Sequence, residues 1–264
     1  MSIAVPQTGI VDIQSHTDHR LLAIQKVGVK SLRHPIQVVT QDGSAQSTIA
    51  TFDMYVNLAA DQRGTHMSRF VELLHSTDKP FSIALFNTLL QEMTHKLHAQ
   101  CGYINMQFPF FMLKSAPISG AKSYVDYEVT LKGEWLTDSA KTEVKVVVPV
   151  TSLCPCSKAI SEYGAHNQRS HITVTVELLA DLPIESLIML IEKQASCELF
   201  GILKRADEKH VTEKAYENPK FVEDLVRDIA AELKKDARIK CFLVESENFE
   251  SIHNHSAYAA LGSK

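Results

Sequence analysis

Four stretches of this chain alternate apolar and polar residues with strict period two, and that constrains the fold more than anything else in it. Phe52, Met54, Val56 and Leu58 alternate with Asp53, Tyr55 and Asn57. Val125, Tyr127, Val129 and Leu131 alternate with Asp126, Glu128 and Thr130. Val144, Val146, Val148 and Val150 repeat the spacing, and so do Ile172, Val174, Val176 and Leu178. Successive strand side chains point to opposite faces, so each stretch reads as a strand with one face buried. Between them lie residues at helical spacing: Phe86, Leu89, Leu90, Met93 and Leu97; Ile184, Leu187, Ile188, Ile191, Ala195 and Leu199; Val222, Leu225, Val226, Ile229 and Leu233. The last set has a start signal, Asn218 as cap and Pro219 at the first helical position. A shorter helix is expected from Met67 to His75.

The order is informative. Strands near 34–41 and 47–58 precede helices near 67–76 and 82–100, and strands near 103–115 and 123–136 follow. The same order recurs with strands near 142–151 and 169–179, helices near 183–203 and 218–235, and strands near 237–246 and 251–261. This is an α+β chain with ββααββ twice: an N-terminal segment 1–30, a first module 31–138 and a second module 139–264. Each module places two helices over one face of a four-stranded antiparallel sheet, and the halves share one sheet. The repeat is one of pattern, without evident identity between the halves.

With 45% apolar and 22% charged residues, 264 residues can bury an ordinary core. A net charge of −4 argues against a nucleic-acid binder working by bulk phosphate neutralisation. No run of eighteen apolar residues occurs, so no membrane span is expected. The N-terminus lacks a basic start followed by an apolar run. The five cysteines are odd in number and sparse, which suggests reduced thiols in a cytoplasmic protein.

The densest chemistry lies in TSLCPCSKAISEYGAHNQRS, residues 151–170, between two expected strands. Cys154 and Cys156 flank Pro155, and His166 follows twelve residues after Cys154. Thiolate and imidazole suit zinc and related first-row metals. On spacing alone, two buried thiols and a capping histidine explain the segment equally well. If Ser251–His255 is a strand, His253 and His255 share a face and line one pocket; the plainer reading is two solvated histidines on an edge. The charged stretch KRADEKHVTE, 204–213, reads as a solvated loop between helices and offers Asp207, Glu208, His210 and Glu213. Glu223 borders the stripe Val222, Leu225 and Val226. A part-buried carboxylate there suits paired donors such as guanine N1–H and its 2-amino group; otherwise it is an acidic residue favoured by the helix dipole. RGTHMSR, 63–69, places Arg63, His66 and Arg69 before a helix, which suits a triphosphate, or is an ordinary loop.

CPCSKAISEYGAHNQRS, RGTHMSR, the Glu223 helix and IHNHSAYA, in this order, closely resemble the signature segments of type IB GTP cyclohydrolases. The resemblance runs from about residue 10 to 260, with no motif position that departs from the pattern. It implies a tunnelling fold (T-fold), whose modules close into a barrel between subunits, and a homotetramer with active sites between subunits. It implies a divalent metal ion (zinc, manganese or iron) held by Cys154, His166 and Glu208. Cys156, His253 and His255 would lie at the same catalytic site, with the two cysteines able to exchange roles. Glu223 would anchor guanine, and Arg63, His66 and Arg69 would meet the triphosphate from another chain. The implied reaction is hydrolysis of GTP to 7,8-dihydroneopterin triphosphate and formate, the first step of pterin and tetrahydrofolate synthesis. Water made acidic by the metal attacks C8, the imidazole ring opens, and the ribose rearranges and recloses as a dihydropterin. Two alternatives are an archaeal-type relative forming a dihydroneopterin cyclic phosphate, and a non-catalytic metal-binding protein of the same fold.

Overall fold

The computed structural model describes residues 12–136 and 139–263. The boundary expected at 138/139, and most of the residues before Ser15, lie outside them. Eight strands form one antiparallel sheet in sequence order: β1 (Ile24–Val39), β2 (Ala45–Leu58), β3 (Cys101–Ser115), β4 (Lys122–Leu136), β5 (Ser139–Leu153), β6 (Asn167–Leu178), β7 (Ile239–Asn248) and β8 (Ala257–Gly262). The α+β class and the continuous sheet match the sequence reading. The helices are α1 (Ser68–His75), α2 (Ile83–Lys96), α3 (Pro155–Ile160), α4 (Ile184–Gln194), α5 (Arg205–Glu217) and α6 (Val222–Leu233).

Alternation decides which face is buried. Phe52, Met54 and Val56 of β2, Val144, Val146 and Val148 of β5, and Ile172, Val174 and Val176 of β6 are almost wholly buried in one core with Phe86, Leu90, Ile188, Leu225 and Ile229 from the helices. Glu128, Lys145, Thr173 and Glu245 take the other face and stay exposed or half-buried. Helix α2 sits so close to β3 and β4 that a Cβ on Gly102 would come within 2.4 Å of Thr94 Cγ2, and one on Gly133 within 2.7 Å of Phe86 Cε1.

Five boundaries depart from the sequence reading, each for a local reason. Strand β1 starts at Ile24, ten residues early, because two register shifts break its alternation. The second shift, between Val29 and Leu32, is a bulge in which Ser31 takes φ 56° and donates its N–H to Asp53 Oδ1 at 2.8 Å. Helix α4 stops at Gln194 because the chain turns back to the sheet: Thr151 N–H donates to the Cys197 carbonyl at 2.9 Å, and Leu153 N–H to Ser196 Oγ at 3.1 Å. The charged stretch expected as a loop is helix α5, whose only buried residues are Asp207 and Ala215. Asn218 is not the cap of α6; it ends α5, and α6 begins after Phe221. The strand expected over 251–261 starts late and runs Ala257–Gly262.

Gly28 lies where β1 crosses Met54 most closely: a Cβ there would stand 2.0 Å from the Met54 carbonyl oxygen. Backbone cannot yield as a side chain does, so Gly28→Ala must displace β1. The expected cost is about 3 kcal/mol, the upper end for overpacking, and a fall in Tm of roughly 6–12 °C for a chain of this size. Calorimetry checks this; an unchanged Tm would mean that β1 slides freely.

Candidate functional site

The ladder between β5 and β6 ends at the pair Leu153↔Asn167. The next residue outward on each side is Cys154 and His166, and Cys154 N–H donates to the His166 carbonyl at 3.1 Å. Twelve residues apart in sequence, the thiol and the imidazole are cross-strand neighbours, and α3 is the insertion between them. Cys154 caps α3, its Sγ accepting the Ser157 N–H at 3.5 Å, and Pro155 follows at the first helical turn. Ser157 ties the return: its Oγ–H donates to the Cys154 carbonyl at 3.2 Å and its Oγ accepts the His166 N–H at 3.2 Å. Gly164, with φ 123°, turns the chain back.

Two further segments arrive at the same end of the sheet. Lys220 N–H donates to the Leu153 carbonyl at 3.0 Å, bringing the start of α6 and Glu223 beside Cys154. The loop joining β7 to β8 carries Glu250, Ser251, His253 and His255, and Phe249 N–H anchors it to the Arg169 carbonyl at 2.9 Å. Together these segments line a cavity of ≈ 300 Å³ whose functional groups are Cys154, His166, Glu223, Glu250, His253 and His255. His253 and His255 are not on a strand, yet their rings stack with centroids 5.1 Å apart.

The imidazoles are oriented by partners that sequence reasoning missed. His166 Nδ1 lies 2.9 Å from Oε1 of buried Gln168 and 3.4 Å from Ser251 Oγ. His253 Nδ1 lies 3.0 Å from Glu250 Oε2. An acceptor on Nδ1 assigns the proton there and leaves Nε2 free, the arrangement metal-ligating histidines use. Gln168 was within reach of sequence, because residues two apart on a strand share a face; Glu250 and Ser251 had no such signal.

The other candidates stand elsewhere. Cys156 is exposed on α3. Glu223 is exposed at the second position of α6 rather than part-buried. Glu208 is exposed on the first turn of α5 and does not line the cavity. Tyr216, near the far end of α5, holds Lys158 of α3 through its carbonyl and its ring. Eight helical residues, about 12 Å of rise, separate Glu208 from that contact. Arg63, His66 and Arg69 also lie outside the cavity: His66 Nε2 pairs with Asp12 Oδ2 at 3.2 Å, and Arg69 Nη1 donates to the Lys96 carbonyl at 3.4 Å. Among the described residues, no three His, Cys, Asp or Glu side chains stand close enough to hold a metal ion. One chain therefore supplies donors of the right chemistry and orientation for a first-row metal, but not a complete set. Cys197 is no candidate: burial, with Glu198 beside it, pushes its thiol up to about 11.

The fold is shared with urate oxidases. Uricase from Arthrobacter globiformis superposes with TM-score 0.51 at 8% identity, over 96% of this chain and 94% of that one. The hyperthermostable R298C mutant of Bacillus sp. TB-90 urate oxidase gives 0.54 at 10% identity, over 91% and 98%. At such identities the likeness is one of fold alone. Residues 10–259 match the family model described as type I GTP cyclohydrolase FolE2. GTP cyclohydrolase FolE2 2 of Dechloromonas aromatica (strain RCB) is 57% identical over 259 residues, covering 98% of this chain and 96% of that protein. GTP cyclohydrolase FolE2 of Burkholderia multivorans (strain ATCC 17616 / 249) is 57% identical over 250 residues, covering 95% and 93%. The chain belongs to the type I GTP cyclohydrolase FolE2 family.

Proposed function

We propose that this chain is a GTP cyclohydrolase I, hydrolysing GTP to 7,8-dihydroneopterin triphosphate and formate at the entry to pterin and tetrahydrofolate synthesis. The observation that carries the reading is the convergence of Cys154, His166, Glu223, His253 and His255 on one cavity from four separate segments.

In this reading Cys154 and His166 hold a divalent cation, zinc, manganese or iron, and Glu208 of another subunit completes the set. The cation supplies Lewis acidity and a water acidified towards neutral pH. Glu223 accepts hydrogen bonds from guanine N1–H and the 2-amino group and so presents C8 to the cavity floor. His253 Nε2, its Nδ1 held by Glu250, moves a proton to the ring nitrogen released when the imidazole opens, with His255 stacked beside it to take part in the later transfers. Cys156, exposed on α3 two residues after Cys154, is the thiol that exchanges roles with it. The triphosphate meets Arg63, His66 and Arg69 of a neighbouring chain.

The assembly follows from the sheet. Its edge strands are β1 and β8, and its second face carries Asp53, Glu128, Lys145 and Glu245. Closing such sheets edge to edge makes a T-fold barrel with the polar face inward, each chain giving two modules divided near 138/139. Two barrels stacked give a homotetramer with closed symmetry. No helix among the described residues is long and apolar enough to cross a membrane, and we place the enzyme in the cytoplasm, acting on a free nucleotide without nucleic acid or membrane.

The test is incubation of the purified protein with GTP and each metal, following formate and fluorescent pterin. Equimolar formate and a triphosphate product by mass are expected; a cyclic-phosphate product would reassign the chemistry. A site built around Glu223 should turn over inosine triphosphate poorly and ATP not at all, because neither base offers the carboxylate the pair of donors that guanine N1–H and its 2-amino group supply. Equal turnover of GTP and ATP would remove Glu223 from its role.

A further inference from the structure

Helix α5 is held in an unusual way. It has no apolar stripe, burying only Asp207 and Ala215, so packing does not fix its position as it fixes α2 or α6. Point contacts do. Near its C-terminal end Lys214 pairs with Glu198, and Lys158 reaches the Tyr216 carbonyl. At its N-terminal end the anchor within the helix is Asp207, wholly buried, and Ile202 N–H, before the helix, donates to Ser123 Oγ at 3.1 Å.

Asp207 joins the two halves of the chain. Its Oδ1 accepts the N–H groups of Ile118 at 2.8 Å and Ser119 at 2.9 Å, both in the turn between β3 and β4. Its Oδ2 accepts the Ser119 hydroxyl at 2.6 Å and the Lys204 N–H at 2.8 Å, the latter capping α5 itself. Four donors saturate the carboxylate. The turn is itself braced, with Ala116 N–H on the Ala121 carbonyl at 2.9 Å and Gly120 at φ 68°.

The next residue is Glu208. Its side chain is exposed and makes no hydrogen bond or ion pair among the described residues. Its backbone is fixed, the N–H on the Lys204 carbonyl at 2.9 Å and the carbonyl accepting Thr212 Oγ–H at 2.7 Å. A ligand without side-chain support takes its position from the backbone that carries it. Resting on the reading of Glu208 as a metal ligand supplied to another subunit, we propose that Asp207, clamped to the Ile118–Ser119 turn, is the positioning residue for Glu208. The first half of the chain thereby sets the metal site of a neighbouring copy.

The experiment measures zinc and manganese affinity of the full-length oligomer by competition with a chelating dye, well below the unfolding temperature. Four proteins are compared: wild type, Asp207→Asn, Ser119→Ala and Glu208→Ala. Asn retains an acceptor for the turn but cannot accept the Lys204 N–H with its amide nitrogen. Metal affinity is expected to fall about 10- to 100-fold in Asp207→Asn, the range for groups that orient ligands. Ser119→Ala should fall less, in the same direction, and tests the clamp even if Asp207→Asn folds poorly. An Asp207 that is merely structural lowers Tm and leaves the metal Kd of the folded protein unchanged. If Glu208→Ala loses metal while Asp207→Asn and Ser119→Ala bind as wild type, the clamp is overturned and the ligand reading stands. If Glu208→Ala binds metal as wild type, the ligand reading fails and the clamp with it.

Discussion

His166→Ala is expected to lose GTP turnover by on the order of 10³-fold or more, because the proposed cation, and the acidified water it would supply, would be lost with the imidazole. Bound metal, measured by elemental analysis, should fall with it. The fold should not: His166 stands one residue beyond the last β5–β6 ladder pair, and among the described residues its ring's hydrogen-bond partners are Gln168 and Ser251. Circular dichroism and Tm close to wild type are therefore part of the prediction. Gln168→Ala should act in the same direction more weakly, about 10- to 100-fold in metal affinity, since it removes only the acceptor that fixes the ring. A His166→Ala protein that keeps stoichiometric metal would remove this residue from the ligand set, whatever its activity.

The strands and the apolar helices were legible because each carries a period of its own. Val144, Val146, Val148 and Val150 fall at every second position, and the structure buries all four. Helix α5 was not legible, because it buries no stripe and so leaves no period in the sequence; its position is set by Asp207 and by partners nearly ninety residues away. The start of β1 was hidden by bulges, which shift the alternation that would reveal it. The ends of α4 and α5 depended on contacts with Thr151, Leu153 and Ala195 that no local signal announces.

The site divides in the same way. Cys154, His166, His253 and His255 were visible as residue types that cluster in sequence, and the fold brings them to one cavity. That Cys154 and His166 are cross-strand neighbours needs the β5–β6 register, which the two alternating runs imply but do not count out across the loop. Glu223 reaches the cavity through a backbone bond from Lys220 to Leu153, a contact between segments sixty-seven residues apart. Glu208 stood among four candidates of a charged stretch and RGTHMSR suited an anion by its residue types; the family motifs gave them their roles, and a single chain leaves them outside the cavity.

That separation yields the second large effect. If Glu208 serves the cavity of another chain, two individually inactive variants should restore each other. A His166→Ala chain retains Glu208, and a Glu208→Ala chain retains Cys154 and His166. In a mixed oligomer, an interface that takes its imidazole from the second and its carboxylate from the first has a complete site. With random assortment at equal amounts, half of the sites draw the intact histidine and half of those draw the intact glutamate. The mixture should thus recover about a quarter of wild-type activity, if the site is shared across a symmetric interface. The measurement is specific activity and bound metal after the two chains are co-expressed with different tags and the doubly tagged oligomer is isolated. Each variant alone, carried through the same steps, should remain inactive. Recovery near a quarter requires that the two residues come from different chains, because no pairing of a single-chain site could give it. No recovery in an oligomer shown to contain both chains would return Glu208 to its own subunit, and the N-terminal end of α5 would then have to move towards Cys154 for the site to form.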